Sequence, residues 1–147
     1  EADMSNRNIG DLVKGQELLT APAATPVSEA ARWMQGRRVG AILVVDGDRL
    51  VGIFTERDAL FRVVAEKRDP ATTLLSDVMT ANPTTISPRD SFPTALQIMH
   101  AGRFRHVPVV EDGKPVGILS SRDAMGSELE DFMYTLILKG QAQDVLA

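Results

Sequence analysis

The hydrophobic positions of this chain follow one pattern twice, with an offset of 65 residues. Each half begins with apolar side chains spaced i, i+3, i+4, i+7, which is the spacing of one helix face. These stripes are Val27, Ala30, Ala31 and Met34 in the first half, and Phe92, Ala95, Leu96 and Met99 in the second. Gly36 and Gly102 follow the stripes, and we expect them to end the two helices because glycine is favoured at helix C-termini.

Continuous apolar runs follow the helices and predict buried strands, each leading through a polar turn to a second strand. The strand pairs are Val39–Val45 with Leu50–Thr55, and Phe104–Val110 with Val116–Ser120. A second helix should begin at Glu56 or Ser121, and short extended segments around Thr20 and Thr84 should precede the first helices. The order of elements is therefore β-α-β-β-α, twice.

The two halves align without a gap from Val13 on Val78 to Leu60 on Met125, and thirteen of the forty-eight pairs are identical. Sheets of two or three strands need cover, so the α/β (α+β) units should pack against each other. We divide the chain into an N-terminal arm (1–12), a first repeat (13–67), a linker (68–76), a second repeat (77–127), and a C-terminal amphipathic helix with a tail (128–147).

Composition excludes several classes of function. The formal net charge of -4 and the pI near 5.1 argue against binding to nucleic acid or to an anionic membrane. The chain has no cysteine and only two histidines, which excludes disulfides and makes a multi-histidine metal site improbable. Its longest apolar run, Val39–Val45, is far shorter than the ~20 residues of a membrane span. We expect a cytoplasmic protein without membrane insertion.

The same short phrase closes both repeats: Gly52–Asp58 and Gly117–Asp123. In each phrase a hydroxyl residue stands three positions before an aspartate at a strand-to-helix junction. One interpretation is a helix cap, in which the hydroxyl and the carboxylate satisfy exposed amides. The other is a ligand site, in which the aspartate accepts hydrogen bonds from a ribose diol and the glycine lets a ligand approach the backbone. Both can hold at once.

Each copy of the phrase follows a strand that contains Val-Val and a turn. With this arrangement present twice, the chain resembles a tandem pair of cystathionine-β-synthase (CBS) domains. Such a pair is also called a Bateman module, and this one is of the small bacterial type. The resemblance covers residues 13–59 and 78–124, and the segments Asp77–Thr80 and Arg105–Val110 strengthen it. The first repeat departs from the pattern at Leu12–Gly15, so its cleft is expected to differ in ligand preference or to be empty.

The resemblance implies two repeats packed pseudo-symmetrically, sheet to sheet, with two clefts that bind adenosine-containing ligands. AMP, ADP, ATP, NAD or S-adenosylmethionine would act as a regulatory ligand, without a prosthetic group. Asp58 and Asp123 would hold the ribose hydroxyls. The expected adenine contacts are Thr20, Ala21, Pro22, Ile42, Leu43, Thr85, Ile86, Ser87, Val107 and Pro108.

The groups expected near ribose or phosphate are hydroxyls and cations. Guanidinium suits phosphate because it offers a rigid fork of donors, although an arginine near a helix start is more often solvated or paired with an acidic neighbour. The candidates are Thr55, Ser120, Arg57, Arg122, Arg38, Arg103, Arg105 and His106.

Three functions were weighed. The favoured one is a non-catalytic regulatory module, a homodimer that senses an adenosine-containing ligand and acts on a partner protein or domain. The alternative is a purely structural or interaction module, with the phrases as caps and the C-terminal helix as the working surface. Its apolar face is Leu129, Phe132, Met133, Leu136 and Ile137. An enzyme ranks last because no base or third partner converges with the two aspartates.

Overall fold

The computed structural model describes residues 7–124 and 126–140. The first unit has the predicted order β-α-β-β-α, whereas the second has α-β-β followed by a 3-10 turn, because the extended segment predicted before its first helix forms only an isolated bridge. The elements of the first half are α1 (Ile9–Val13), β1 (Thr20–Pro22), α2 (Val27–Arg37), β2 (Ala41–Asp46), β3 (Arg49–Thr55), α3 (Glu56–Asp58) and a π-helical turn (Ala59–Val64). Those of the second half are α4 (Leu75–Val78), β4 (Thr80–Ala81), α5 (Phe92–Gly102), β5 (His106–Glu111), β6 (Lys114–Ser120), a 3-10 turn (Ser121–Asp123) and α6 (Gly126–Leu138).

The two sheets differ in size. The first has the order β1-β2-β3-β4, with β1 parallel to β2 and the other pairs antiparallel. The second contains β5 and β6, antiparallel, and the extended segment predicted before α5 contributes only one parallel bridge, Ile86 to Val109. Both strand pairs shift register at the matched position, Val44/Val45 and Val109/Val110, so the repeat extends to the irregularity of its strands.

The sheets face each other through a small apolar layer. Ala41, Leu43 and Ile53 of the first sheet are buried there, and Ile118 of the second packs against them. Adjacent strand residues point to opposite faces, so Ile42 and Phe54 enter the separate core of the first unit. The sheet-to-sheet packing is thus confirmed, with one core in each unit and a thin layer between them.

Each unit is completed by a segment that precedes the other unit. Helix α1 lies in the core of the second unit, where Ile9 is fully buried and the amide of Gly10 donates to the carbonyl of Pro88 at 2.9 Å. Helix α4 lies in the core of the first unit, where Leu75 is fully buried and its amide donates to the carbonyl of Thr25 at 2.9 Å. The segments assigned to the arm and the linker therefore contain core elements.

The first helix of each unit is capped by an arginine; Gly102 ends α5 as expected, whereas the expectation that Gly36 ends α2 is wrong. Arg38 and Arg103 adopt the left-handed conformation at φ 54° and 59°, and each donates its amide back to carbonyls of the last turn. Gly36 lies inside α2, and Gly102 is the last residue of α5. Gly102 makes room for the ring of Phe104, which a Cβ at this position would overlap.

The units diverge after their capping boxes. In the first unit α3 continues directly into the π-helical turn. In the second, Ala124 turns to extended backbone at φ -70° and ψ 139°, and the new helix α6 begins at Gly126. Helix α6 packs on α5 through Phe132 and Leu136, as its amphipathic pattern predicts. The expected core position Met125, and residues 1–6 and 141–147 of the arm and tail, lie outside the described residues.

Membrane insertion has no candidate among the helices of residues 7–124 and 126–140. None of them is long and apolar enough to cross a bilayer.

The core role of α4 predicts a large effect of Leu75→Ala. Leu75 is 0% exposed, and removal of a buried leucine side chain costs about 2–5 kcal/mol of unfolding free energy because a cavity remains. Urea denaturation should show this loss. Leu60→Ala, at a leucine that is 53% exposed, is the control and should change the free energy much less. Equal losses for the two variants would contradict the placement of α4 in the core.

Candidate functional site

The phrase of the first unit forms a capping box. The Asp58 amide donates to Thr55 Oγ1 at 3.3 Å, while the Thr55 amide donates to Asp58 Oδ2 at 2.9 Å. The Thr55 hydroxyl also donates to Oδ2, at 3.2 Å. The other carboxylate oxygen, Oδ1, lies 3.5 Å from Nε of Arg62, one helical turn further on. Asp58 is buried, so most of its hydrogen-bonding capacity is used within the protein.

The phrase of the second unit forms the same box in a more open setting. The Ser120 amide donates to Asp123 Oδ2 at 2.8 Å, and Ser120 Oγ accepts from the amide of Arg122 at 3.2 Å. Asp123 is exposed, unlike Asp58. Among the described residues, Oδ1 of Asp123 has no hydrogen-bond partner. The cap interpretation is therefore correct for both phrases, and the second phrase retains a carboxylate oxygen that faces solvent.

The glycines of the two phrases make room for protein. A Cβ on Gly52 would lie 2.5 Å from Sδ of Met79, just after α4, and a Cβ on Gly117 would overlap the side chain of Val13 in α1. The expectation that they admit a ligand to the backbone is wrong. Instead, Gly52 lets the residue after α4 pack directly on β3, and Gly117 lets α1 pack directly on β6.

Two clefts lie between the units. The first cleft combines the box Thr55–Asp58 with residues 82–84 and 103–106 of the second unit. The second cleft combines the box Ser120–Asp123 with residues 17–19 and 37–41 of the first unit and His106. The segments 82–84 and 17–19 are 65 residues apart, so the clefts are related by the repeat. Each cleft takes its carboxylate from one unit and its opposite wall from the other.

The second cleft is compact, with a cavity of about 420 Å³. Its carboxylate wall is polar, and its opposite wall carries the apolar side chains Leu18, Leu19, Val39 and Leu43. The first cleft is continuous with a broad groove between α5 and α6, and together they enclose about 2010 Å³. The compact cleft is of the size that holds a nucleotide-sized molecule.

The residues predicted to contact ribose and phosphate line the two clefts. Those of the second cleft are Ser120, Arg122, Asp123, Arg38 and His106. Those of the first cleft are Thr55, Arg57, Asp58, Arg103, Arg105 and His106. Arg57 is also engaged by the protein, since its guanidinium carbon lies 5.3 Å from the centre of the Phe61 ring.

Most of the predicted adenine contacts lie outside the cavities. Leu43 lines the second cleft, but Ile42 and Val107 are fully buried in the cores of their own units, because alternate strand residues face opposite ways. The segments Thr20–Pro22 and Thr85–Ser87 lie just beyond the walls, and Pro108 is buried. The residues that line the cavities are Glu17–Leu19 and Asn82–Thr84, one to three positions earlier along the chain.

His106 is the residue that the two clefts share. It begins β5, is half-buried and lines both cavities. Gly40, at the start of the opposite strand, gives room to its neighbours: a Cβ there would lie 2.9 Å from Oε1 of Glu56 and 3.4 Å from Nε2 of His106. Burial lowers the pKa of His106 below its usual 6.5, Arg122 and Arg105 lower it further, and Glu56 and Asp123 oppose the shift.

Two functional side chains were missed by the sequence analysis. Arg62 holds Asp58, and the i,i+4 spacing of the pair is a signal that was available in the sequence. Gln16 donates to the carbonyl of Ile118 at 3.2 Å and accepts from its amide at 2.8 Å, so its side chain pairs with the edge of β6. No sequence signal marks Gln16, since its counterpart in the repeat is Ala81.

The described residues contain no group of three or more His, Asp or Glu side chains that could hold a metal ion. The site therefore consists of two clefts, the first lined by Glu56 and Asp58 and the second by Glu17 and Asp123, each together with several arginines.

Comparison with known proteins gives consistent results. A family model described as CBS domain matches residues 9–65 and 75–130. The CBS domain-containing protein CBSCBSPB3 of Arabidopsis thaliana is 45% identical over 102 residues, which are 69% of this chain and 18% of that protein. The chain thus spans less than a fifth of that relative's length.

Solved structures share the fold. A CBS-domain containing protein from Agrobacterium tumefaciens is 33% identical, with a TM-score of 0.73 over 80% of this chain and 95% of that one. The CBS domain pair of protein MJ0100, solved in complex with 5′-methylthioadenosine and S-adenosyl-L-methionine, is 25% identical, with a TM-score of 0.73 over 86% of this chain and 97% of that one.

The lowered pKa of His106 predicts a loss of stability in acid. The folded state disfavours the charged imidazole. The contribution of neutral His106 to the free energy of unfolding is therefore complete above pH 6.5, and it is lost as the pH falls towards the lower pKa of the folded state. His106→Ala copies Ala41, the matched residue of the first unit, and should flatten the dependence of Tm on pH between about pH 5 and 7. Thermal melts of both proteins across this range test it. Parallel curves would show that His106 does not contribute.

Proposed function

The chain belongs to the CBS domain family, and on that premise we propose that it is a non-catalytic regulatory module that binds an adenosine-containing ligand. The observation that carries the proposal is the second cleft. It places the exposed carboxylate of Asp123 between a cationic rim and an apolar wall, in a cavity of about 420 Å³. The candidate ligands are AMP, ADP, ATP, NAD and S-adenosylmethionine.

Each part of such a ligand has a matching group in this cleft. Oδ1 of Asp123 can accept hydrogen bonds from the adjacent hydroxyls of a ribose. The guanidinium of Arg122 and that of Arg38, across the cleft, suit a phosphate. The apolar side chains of Leu18 and Val39 offer a surface to a purine ring. The two ligands of the MJ0100 pair share the adenosine portion, which supports a common recognition of ribose and adenine.

Regulation follows from the construction of the cleft. A ligand there would contact Asp123 of one unit and residues 17–19 of the other, so its binding energy depends on how the two units are arranged. A ligand shifts a conformational equilibrium only when it binds the two states differently, and a site split between units meets this condition. We propose that the signal is a change in the relative arrangement of the units. We propose a cytoplasmic location for such a sensor, where it would have access to nucleotide pools.

A second candidate role, interaction through apolar surface, is favoured by the broad groove. Exposed apolar side chains lie on the π-helical turn and along α6, and Val64 and Leu129 occupy matched positions of the repeat. The exposed side chains are Leu60, Phe61, Val64, Leu129, Tyr134, Ile137 and Leu138. Apolar patches of this kind mark interaction sites, and we propose that a second copy of the chain covers it in a homodimer.

The ligand proposal predicts thermal stabilisation by adenosine compounds. Saturation at 100 times Kd should add about 2.7 kcal/mol of unfolding free energy, and Asp123→Ala should abolish the gain because the ribose hydroxyls lose their acceptor. A thermal-shift panel with AMP, ADP, ATP, NAD, NADH and S-adenosylmethionine measures it, each variant being compared with its own ligand-free melt. Glu111→Ala, at an exposed carboxylate of β5, is the control. No shift in nucleotide-free protein would contradict the proposal.

The homodimer proposal predicts a particle with twice the 16.0 kDa mass of the chain in light scattering. Phe61→Ser and Ile137→Ser, at side chains 53% and 58% exposed, should shift the population to the monomer because each removes apolar contact area. Val39→Ser, 41% exposed but located in the second cleft, is the control and should leave the dimer intact. A monomeric wild type at high protein concentration would contradict the proposal.

A further inference from the structure

The carboxylate of the first cleft is held by a clamp that extends beyond the capping box. Arg62 lies on the π-helical turn, with its Nε 3.5 Å from Oδ1 of Asp58. Its Nη1 donates to the carbonyl of Val78 at 3.2 Å and to that of Met79 at 3.0 Å. One guanidinium therefore joins the carboxylate of the first cleft to the chain segment that enters the second unit.

The clamp leaves little of Asp58 available to another molecule. Its Oδ2 is the acceptor of two hydrogen bonds from Thr55, and its Oδ1 faces Arg62. The Asp58 side chain is 12% exposed, whereas that of Arg62 is 50% exposed, so solvent reaches the arginine far more than the carboxylate. A ribose diol would have to displace Arg62 in order to reach Oδ1.

Among the described residues, no cation clamps the carboxylate of the second cleft; Arg7 donates from Nη2 to the backbone carbonyl of Asp123 at 2.8 Å. The position matched to Arg62 is Ser127, which carries no cation. The backbone after the second capping box also differs from that after the first: Ala124 is extended, so the helix that follows Asp58 in the first unit has no counterpart directly after Asp123. Asp123 is accordingly exposed, with Oδ1 unpaired among the described residues. The same phrase thus gives one covered aspartate and one accessible aspartate.

We propose that Arg62 is a specificity-determining residue that closes the first cleft to ribose, so that the chain takes one adenosine-containing ligand, in the second cleft. The inference rests on the proposed function and refines it from two clefts to one. Displacing Arg62 would leave the buried Asp58 carboxylate without its cation and the carbonyls of Val78 and Met79 without their donor. Loss of such partners is unfavourable, which lowers affinity at the first cleft.

Arg62 also lines the first cleft, and an arginine in that position could instead bind a ligand phosphate. The two roles make opposite predictions. If Arg62 excludes ribose, removal of its guanidinium should create a binding site in the first cleft. If Arg62 binds a ligand phosphate, the same removal should weaken an existing site.

Isothermal titration of the full chain with AMP separates the roles. The wild type should bind one equivalent. Asp123→Asn should weaken that binding at least about tenfold, while the matched variant Asp58→Asn should leave it unchanged, because only the former removes a carboxylate that ligand can reach. Arg62→Met, which keeps the length of the side chain but removes the guanidinium, should add a second equivalent. Arg62→Lys keeps the cation and should retain one.

The outcomes are distinct. Three results would each overturn the clamp. The wild type could bind two equivalents of AMP with similar affinity, or Asp58→Asn could weaken AMP binding. Arg62→Met could also bind AMP more weakly without gaining a second equivalent. If Arg62→Met does not fold in a thermal melt, the Asp58→Asn and Asp123→Asn pair in the wild-type background decides alone. Absence of AMP binding in every folded variant would instead overturn the proposed function on which the inference rests.

Discussion

The structure depends on an exchange of short segments between its two units. Helix α4 completes the core of the first unit and α1 completes that of the second, and neither unit has a closed core without the segment that precedes the other. Gly52 and Gly117 are required for this exchange because any larger residue would collide with Met79 or Val13. Core packing therefore couples the two units, and the same contacts define the clefts between them.

The repeat creates two similar clefts, and departures from the repeat make them different. Identical boxes occur at Thr55–Asp58 and Ser120–Asp123, but the chain continues as a helix after the first and breaks after the second. A helical continuation brings Arg62 back over Asp58 one turn later, whereas the break leaves Asp123 exposed. His106 stands between the clefts with Ala41 as its matched residue, so the imidazole adds a second asymmetry.

The sequence predicted what depends on local pattern and missed what depends on tertiary contact. The strand runs, the helix stripes and both capping boxes follow from spacing and residue type, and they are present. The end of α2 was predicted wrongly because propensity favours glycine, here Gly36, while Arg38 adopts the left-handed conformation with two carbonyls available to its amide. Of the predicted adenine contacts only Leu43 lines a cavity, because local pattern does not encode which strand and loop residues of one unit face the other.

Gln16 has a consequence for the outer edge of the second sheet. The first sheet has β4 as a neighbour along β3, but the corresponding edge of β6 has only one side-chain amide, which occupies both the amide and the carbonyl of Ile118. An unpaired strand edge is a template on which other chains can add a strand and aggregate. The Gln16 side chain thus occupies, at Ile118, both of the backbone groups that an added strand would need for pairing.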